Sequence, residues 1–283
     1  MSEKYIIRSM TREEVNSIAI DWAAAEGWNP GLHDASAFYT ADPNGFFVGL
    51  LNNEPISCIS AVAYGKSFGF IGFYIVKPGY RGKGYGLKIW NAALAYLHSQ
   101  NIGLDGVIEQ QQNYTKSGFK LAYSNIRFEG LAKRSVSTFS DILAFPEVGF
   151  DDIERYDAAL FPANRQPFLK AWITQPESLA LAALHDKQIV GFSVVRKCRV
   201  GYKIGPLFAD NKEIANKLYL TSCNFVETGS RVYLDVPEIN TTAIELAESY
   251  GMQRVFGTAR MYTKSFPGCN INKIFGVSTF ELG

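Results

Sequence analysis

In the segment YIVKPGYRGKGYGLKIW, residues 74–90, Arg81, Gly82, Lys83, Gly84 and Gly86 have the types and spacing to hold an anion. A β-branched run ends at Lys77-Pro78, and a helical pattern starts near Gly84. Glycine is costly at a helix start unless the backbone has work there. The first amides of a helix lack internal acceptors and lie at the positive end of its dipole. Glycines let such amides close around a phosphate or pyrophosphate, and Arg81 and Lys83 add formal charge. A Walker A loop is excluded because Lys83 is followed by Gly84 and position 77 is Lys. The spacing Gly82, Gly84, Gly86 also fails the G-x-G-x-x-G dinucleotide fingerprint, with no acidic residue where a ribose contact belongs. An ordinary glycine-rich turn is the bland alternative.

The surrounding pattern shows what positions this loop. A short strand over 5–8 precedes Thr11 and Glu14, which are spaced as a capping box. Val15, Ile18, Ala19 and Trp22 then follow at helical spacing. A second short helix is expected over 33–39, strands over 46–51, 56–64 and 68–76, a helix over 87–97, and strands over 104–108 and within 119–131. After small, polar residues 132–140 the order repeats: strand 142–145, helices 151–160 and 165–173, a hairpin of 179–185 with 188–195, strand 202–208, helix 212–225, strand 232–236, helix 241–250 and a strand near 255–263. The sequence thus predicts an α+β fold in two domains, 1–131 and 141–283, joined by a linker over 132–140. That division fits the usual size of a domain.

The R-x-x-G-x-G pattern at Arg81, Gly84 and Gly86, with VKPGY before it and this order of elements, resembles the acetyl-CoA loop of the GNAT superfamily of N-acetyltransferases. WNPGLHD, IGPLFADN and the closing FGVSTFELG extend the resemblance over nearly the whole chain, to a two-domain subfamily with a degenerate C-terminal acetyltransferase-like domain. The resemblance implies a tandem GNAT fold, each domain a mixed, mostly antiparallel sheet flanked by helices. It implies acetyl-CoA as cosubstrate, with the amides of Gly82, Lys83, Gly84, Tyr85 and Gly86 on the pyrophosphate. It also implies that the backbone of Tyr74, Ile75 and Val76 pairs with the pantetheine arm and polarises the thioester carbonyl.

EQQQNYTKSGFKLAY carries a second match: Tyr114 stands four residues before Gly118-Phe119, where the family places the tyrosine that faces the departing sulfur. Tyr114 is therefore expected as general acid. Asn113 directly precedes it, whereas the family usually has a longer helix between the two, so a cofactor role for Asn113 departs from the pattern. A buried tyrosine with a satisfied hydroxyl is the alternative for Tyr114. An amine is mostly protonated at neutral pH and needs a base. Glu109, just after the strand over 104–108, is the candidate, with a solvated turn glutamate as the alternative.

In the family the early helices wall the acceptor site. Trp28, with a cation–π face, and Asn29 and Asp34 are expected there; a packed corner with turn residues is the equal alternative. In the second half, NTTAIELAESYGM fits the family pattern at Asn240, Ala243, Leu246 and Gly251, but Ala247 occupies the tyrosine position. Its loop ADNKEIANK has no glycine, and Asp210 and Glu213 would repel a pyrophosphate. This half is therefore expected to complete the acceptor pocket without binding CoA, with Asp235, Asn240 and Asp210 as contacts or, for Asn240 and Asp210 or Asn211, simply as helix caps.

Bulk composition agrees with an enzyme. Of 283 residues, 47% are hydrophobic and 19% charged, enough for a sizeable core. A net charge of +1 gives no broad footprint for nucleic acid. Four scattered cysteines and three histidines offer no metal spacing, and neither a signal peptide nor a membrane-spanning run is visible. The expectation is a cytoplasmic acetyl-CoA-dependent N-acetyltransferase acting on the primary amine of a small molecule, with no metal, nucleic acid or membrane partner and an open oligomeric state. A non-catalytic acyl-CoA sensor or interaction module, and a nucleotide-phosphate binder, are the rival readings.

Overall fold

Thr11 caps the first helix as its spacing predicts: its hydroxyl accepts the Glu14 amide, and Glu14 accepts the Thr11 amide in return. The computed structural model describes residues 4–283. Strand β1 (Tyr5–Ser9) leads into α1 (Arg12–Glu14), which continues through a π-helical stretch, Val15–Ile20, into α2 (Asp21–Ala25). Val15, Ile18, Ala19 and Ala23 turn to the core. Then come α3 (Asp34–Ala41), β2 (Phe46–Leu51), β3 (Glu54–Tyr64), β4 (Phe68–Val76), α4 (Tyr85–Tyr96), β5 (Asn101–Val107), α5 (Gln111–Lys116) and β6 (Lys120–Leu131). Beyond an extended stretch lie β7 (Ile142–Ala144), α6 (Phe150–Ala158), α7 (Gln166–Ile173), β8 (Ser178–His185), β9 (Gln188–Lys197), β10 (Tyr202–Ala209), α8 (Lys212–Phe225), β11 (Arg231–Pro237), α9 (Thr241–Ser249), β12 (Gln253–Tyr262) and β13 (Ile274–Gly276). The element order repeats as the sequence predicts. β13 is an element that local patterning does not announce.

The strands form one sheet in the order β1-β2-β3-β4-β5-β12-β6-β11-β10-β9-β8-β7, with β13 on β10. Chain order and sheet order part company in the middle. β12, from the second half, lies between β5 and β6, and β6, from the first half, lies between β12 and β11. Each half therefore borrows a strand from the other, and the boundary at 132–140 is not a boundary in the sheet.

Parallel strands that stop pairing part-way open a V. β4 and β5 pair only from Phe68↔Asn101 to Ile71↔Leu104 and then diverge. A bulge in β4 accompanies the split: the register against β3 shifts, and Phe73 sits at φ 47°, rare for a side chain of its size. β10 and β11 repeat the geometry, pairing only from Tyr202↔Val232 to Ile204↔Leu234. There β13 fills the opening, bonded to β10 at Leu207 and Phe208, and the Val277 amide donates to the Asp235 carbonyl.

Helices from the two halves meet over a shared core. Phe38 of α3 stacks on Trp172 of α7 with ring centroids 5.7 Å apart and reaches Phe73 at 5.6 Å. Three buried ion pairs tie the joint. Arg127 on β6 grips Asp235 on β11 with two bonds of 2.7 Å. Arg260 on β12 grips Asp105 on β5 with bonds of 2.8 and 2.6 Å. Arg196 on β9 donates to Asp34 at 2.9 Å, both 1% exposed. Removing one partner of such a pair strands the other charge in the interior, which costs about 3–5 kcal/mol. Asp34→Ala should therefore lower unfolding stability by about 3 kcal/mol or more in a urea titration. A loss below about 1 kcal/mol would mean that the joint does not depend on this pair.

Candidate active site

The V between β4 and β5 opens into a cavity of about 580 Å³. One wall is β4 from Ile71 to Val76, the other Leu104–Val107 on β5, and Trp90 and Tyr114 line it as well. At its mouth stand Arg81, Gly82, Gly84 and Gly86. Gly82 and Gly84 have φ of 75° and 84°, conformations that suit glycine alone. A Cβ on Gly86 would stand 2.6 Å from the Tyr74 hydroxyl. No side chain caps α4, so its first amides face outward from the loop. In the second half the corresponding helix, α8, is capped by Asn211, which accepts the Ile214 amide. Asp210 there is bound by Lys273 and Tyr156. The two helix starts are alike in fold and opposite in availability: the first fits an anion, and the second is closed by its own side chains.

Tyr114 lies on α5, 8% exposed, its ring 5.5 Å from that of Trp90. Among the described residues nothing hydrogen-bonds its hydroxyl. Burial pushes that hydroxyl up from its ordinary range, so it keeps its proton at neutral pH, as an acid must. Trp90 is held among Tyr74, Tyr114 and Phe119, and its indole N–H is buried without a partner.

Several expected residues are placed elsewhere. Arg81 does not point at the cradle: its Nε donates to the Val76 carbonyl at 2.7 Å and its Nη2 pairs with Glu26 at the end of α2. Lys83 lies over the Tyr80 ring, and Tyr85 is buried against Tyr5, leaving only its backbone to the helix start. Glu109 and Asn113 are exposed and outside the cavity lining, with Asn113 bonded to Gln110. Glu109 lies in the single turn before α5, and Asn113 lies on the exposed face of α5 itself.

On the acceptor side, Trp28 lines the cavity, but Asn29 and Asp34 do not. Asn29 both donates to and accepts from the backbone of Val200, at 2.9 Å each way. Asp34 is shared between Arg196 and the Gly31 amide. This loop is the packed corner, docked on the turn between β9 and β10 by further bonds such as Leu32 to Lys197. Asp235 is also outside the lining; burial works against its carboxylate, but Arg127 outweighs it and holds it below the usual range. Asn240 caps α9 by accepting the Ala243 amide. The inner wall consists instead of Arg127, Phe256, Thr258, Phe280 and Glu281. Four of these five come from β12 and the tail after β13, and FGVSTFELG contains two of them, Phe280 and Glu281. Among the described residues, no cluster of three or more side chains suits a metal ion, and no helix is long and apolar enough to cross a membrane.

Comparison with known proteins agrees with this geometry. Residues 12–119 match the description "Acetyltransferase (GNAT) family", and residues 153–276 match "Acetyltransferase (GNAT) domain". A protein of Pseudoalteromonas sp. (strain SANK 73390) described as holothin acyltransferase is 31% identical over 94% of this chain and 90% of its own length. The chain belongs to the GNAT family of acyltransferases and carries the fold in tandem. A Pyrococcus horikoshii protein described as a candidate acetyltransferase has the same fold, with a TM-score of 0.84 at 23% identity, over 99% of this chain and 96% of its own. A tandem GNAT protein from the clavulanic acid biosynthesis pathway aligns with a TM-score of 0.65 at 12% identity, covering 94% and 99%. Family membership implies an acyl-CoA cosubstrate, and the uncapped glycine loop suits its pyrophosphate.

Gly84→Ala tests that fit. A side chain at this φ costs about 1 kcal/mol of stability or slightly more. If the loop cradles the pyrophosphate, acetyl-CoA affinity measured by calorimetry should fall at least about tenfold as well, since one misdirected amide is worth about 1.4 kcal/mol. Unchanged affinity would reduce the loop to a turn.

Proposed function

We propose that this protein is an acetyl-CoA-dependent N-acetyltransferase that acetylates a primary amine of a small molecule by direct attack in a ternary complex. The observation that carries the reading is the split between β4 and β5, which joins the glycine loop at one end to Tyr114 and an enclosed inner wall at the other. The pantetheine arm is a flat, extended chain with amide groups, and beyond Ile71 the β4 edge has no strand to pair with on the β5 side. That edge is a template for such an arm. It also puts backbone donors beside the thioester carbonyl, where charge develops as the amine attacks.

The amine nitrogen bonds to the carbonyl carbon, the carbon–sulfur bond breaks, and the Tyr114 hydroxyl gives its proton to the leaving thiolate. For access to the Val76 carbonyl, Arg81 has to release it. Trp28, Phe256 and Phe280 favour an acceptor with an apolar body. The similarity to a protein named for acylating holothin supports a small-molecule acceptor of this kind.

Release of CoA thiol, followed across a panel of alkylamines, arylamines, amino acids and polyamines, should depend on the amine. CoA-ester binding with no amine-dependent release would favour a sensor. Tyr114→Phe should lower kcat by about 10²-fold or more, the usual size of a general-acid contribution, while acetyl-CoA affinity stays within about twofold. Equal turnover in the variant would remove the acid role.

A further inference from the structure

Three carboxylates line the cavity: Glu26, Asp105 and Glu281. Glu26 is committed to Arg81. Asp105 is gripped by Arg260 through both oxygens and also accepts the Asn125 amide, so although burial pushes its carboxyl up, its oxygens are taken. Behind the wall, Asp34 and Asp235 are held by Arg196 and Arg127. Glu281 alone of these has no guanidinium partner. Its Oε2 accepts from the Thr279 hydroxyl, which also accepts the Glu281 amide and so fixes the side chain. Among the described residues its Oε1 takes no hydrogen bond, and Glu281, 4% exposed, is part of the cavity lining.

The tail sets Glu281 against the reacting end. Its backbone carbonyl lies so close to Gly72 that a Cβ there would stand 2.1 Å away. Gly72 immediately precedes the bulged Phe73 and Tyr74 on the β4 wall. The backbone of Glu281 thus lies beside the start of the β4 edge expected to hold the thioester, and the residue lines the same cavity as that edge. Arg127 on β6, Arg196 on β9 and Lys203 on β10 are near enough to interact with its charge. Lys203 itself is pushed down by burial and spends its amine on the Trp28 carbonyl.

We propose that Glu281 is the base that takes the proton from the acceptor's ammonium group; this rests on the transfer reaction proposed above. The carboxylate accepts one proton from nitrogen and passes it to water. The freed amine attacks, its second proton leaves the same way as the adduct collapses, and Tyr114 protonates the thiolate and regains its proton from water. The balance is ammonium and thioester to amide, thiol and one released proton.

Glu281→Gln keeps the shape and the bond from Thr279 but removes the base. The test uses the panel amine with the highest wild-type turnover. At neutral pH, kcat/KM of the variant should fall by about 10²-fold, with acetyl-CoA affinity and thermal melting unchanged. The deficit should shrink as pH rises toward the amine's own pKa, because neutral amine needs no base. A deficit that stays constant with pH, or no deficit, overturns the assignment while leaving the transferase reading intact. A wild-type protein that transfers to no amine overturns both.

Discussion

The pairing of β12 with β5 on one side and β6 on the other is the constraint on which the rest of the structure depends. It welds two repeats of one fold into a continuous sheet. It sets Arg260 against Asp105 and, one strand further, Arg127 against Asp235. Because β12 carries Phe256 and Thr258, the same pairing builds the inner wall of the cavity. Architecture and acceptor surface are thus consequences of one strand placement. The buried pairs that lock it are costly to desolvate, and losing one partner would leave the other charge stranded in the interior.

The two openings in the sheet show how one fold position takes opposite fates. Each half splits two parallel strands after a few residues of pairing. In the first half the split leads to an uncapped helix and a glycine loop. In the second, β13 occupies the split and Asn211 caps the helix. The tail that plugs one opening then continues to Glu281 and closes the inner end of the other. The duplicated half has become the wall of its neighbour's cavity.

Structure set by neighbouring residues was legible in the sequence. The glycine loop, Tyr114 before Gly118-Phe119, the hairpin around Asp186-Lys187 and the caps Thr11 and Asn240 are all set by residues within a few positions of one another, and the structure has the elements where the patterns put them. What could not be read depends on distant partners. Asp34 and Asn29 looked like ligands for an amine because their actual partners, Arg196 and Val200, lie more than 160 residues away. The strand exchange leaves no trace in periodicity, since β6 and β12 would read the same in either sheet. No local pattern marks Glu281, a single acidic residue in the closing tail, as part of the cavity lining, whereas Glu109 follows a strand that does form a wall.

The strand exchange also bears on how the chain reaches this state during synthesis. A ribosome adds about 5–20 residues per second, so β5 waits on the order of 10 s for the strand that will cover its edge. Throughout that interval the nascent first half exposes unpaired backbone on β5, beside hydrophobic positions meant for the interior. Such an edge is a template for pairing with another chain. The pairing of β12 with β5 and β6 is thus a long-range contact, of the kind that is slow to form. A cell making it has reason to keep a chaperone on the first half until the second has emerged.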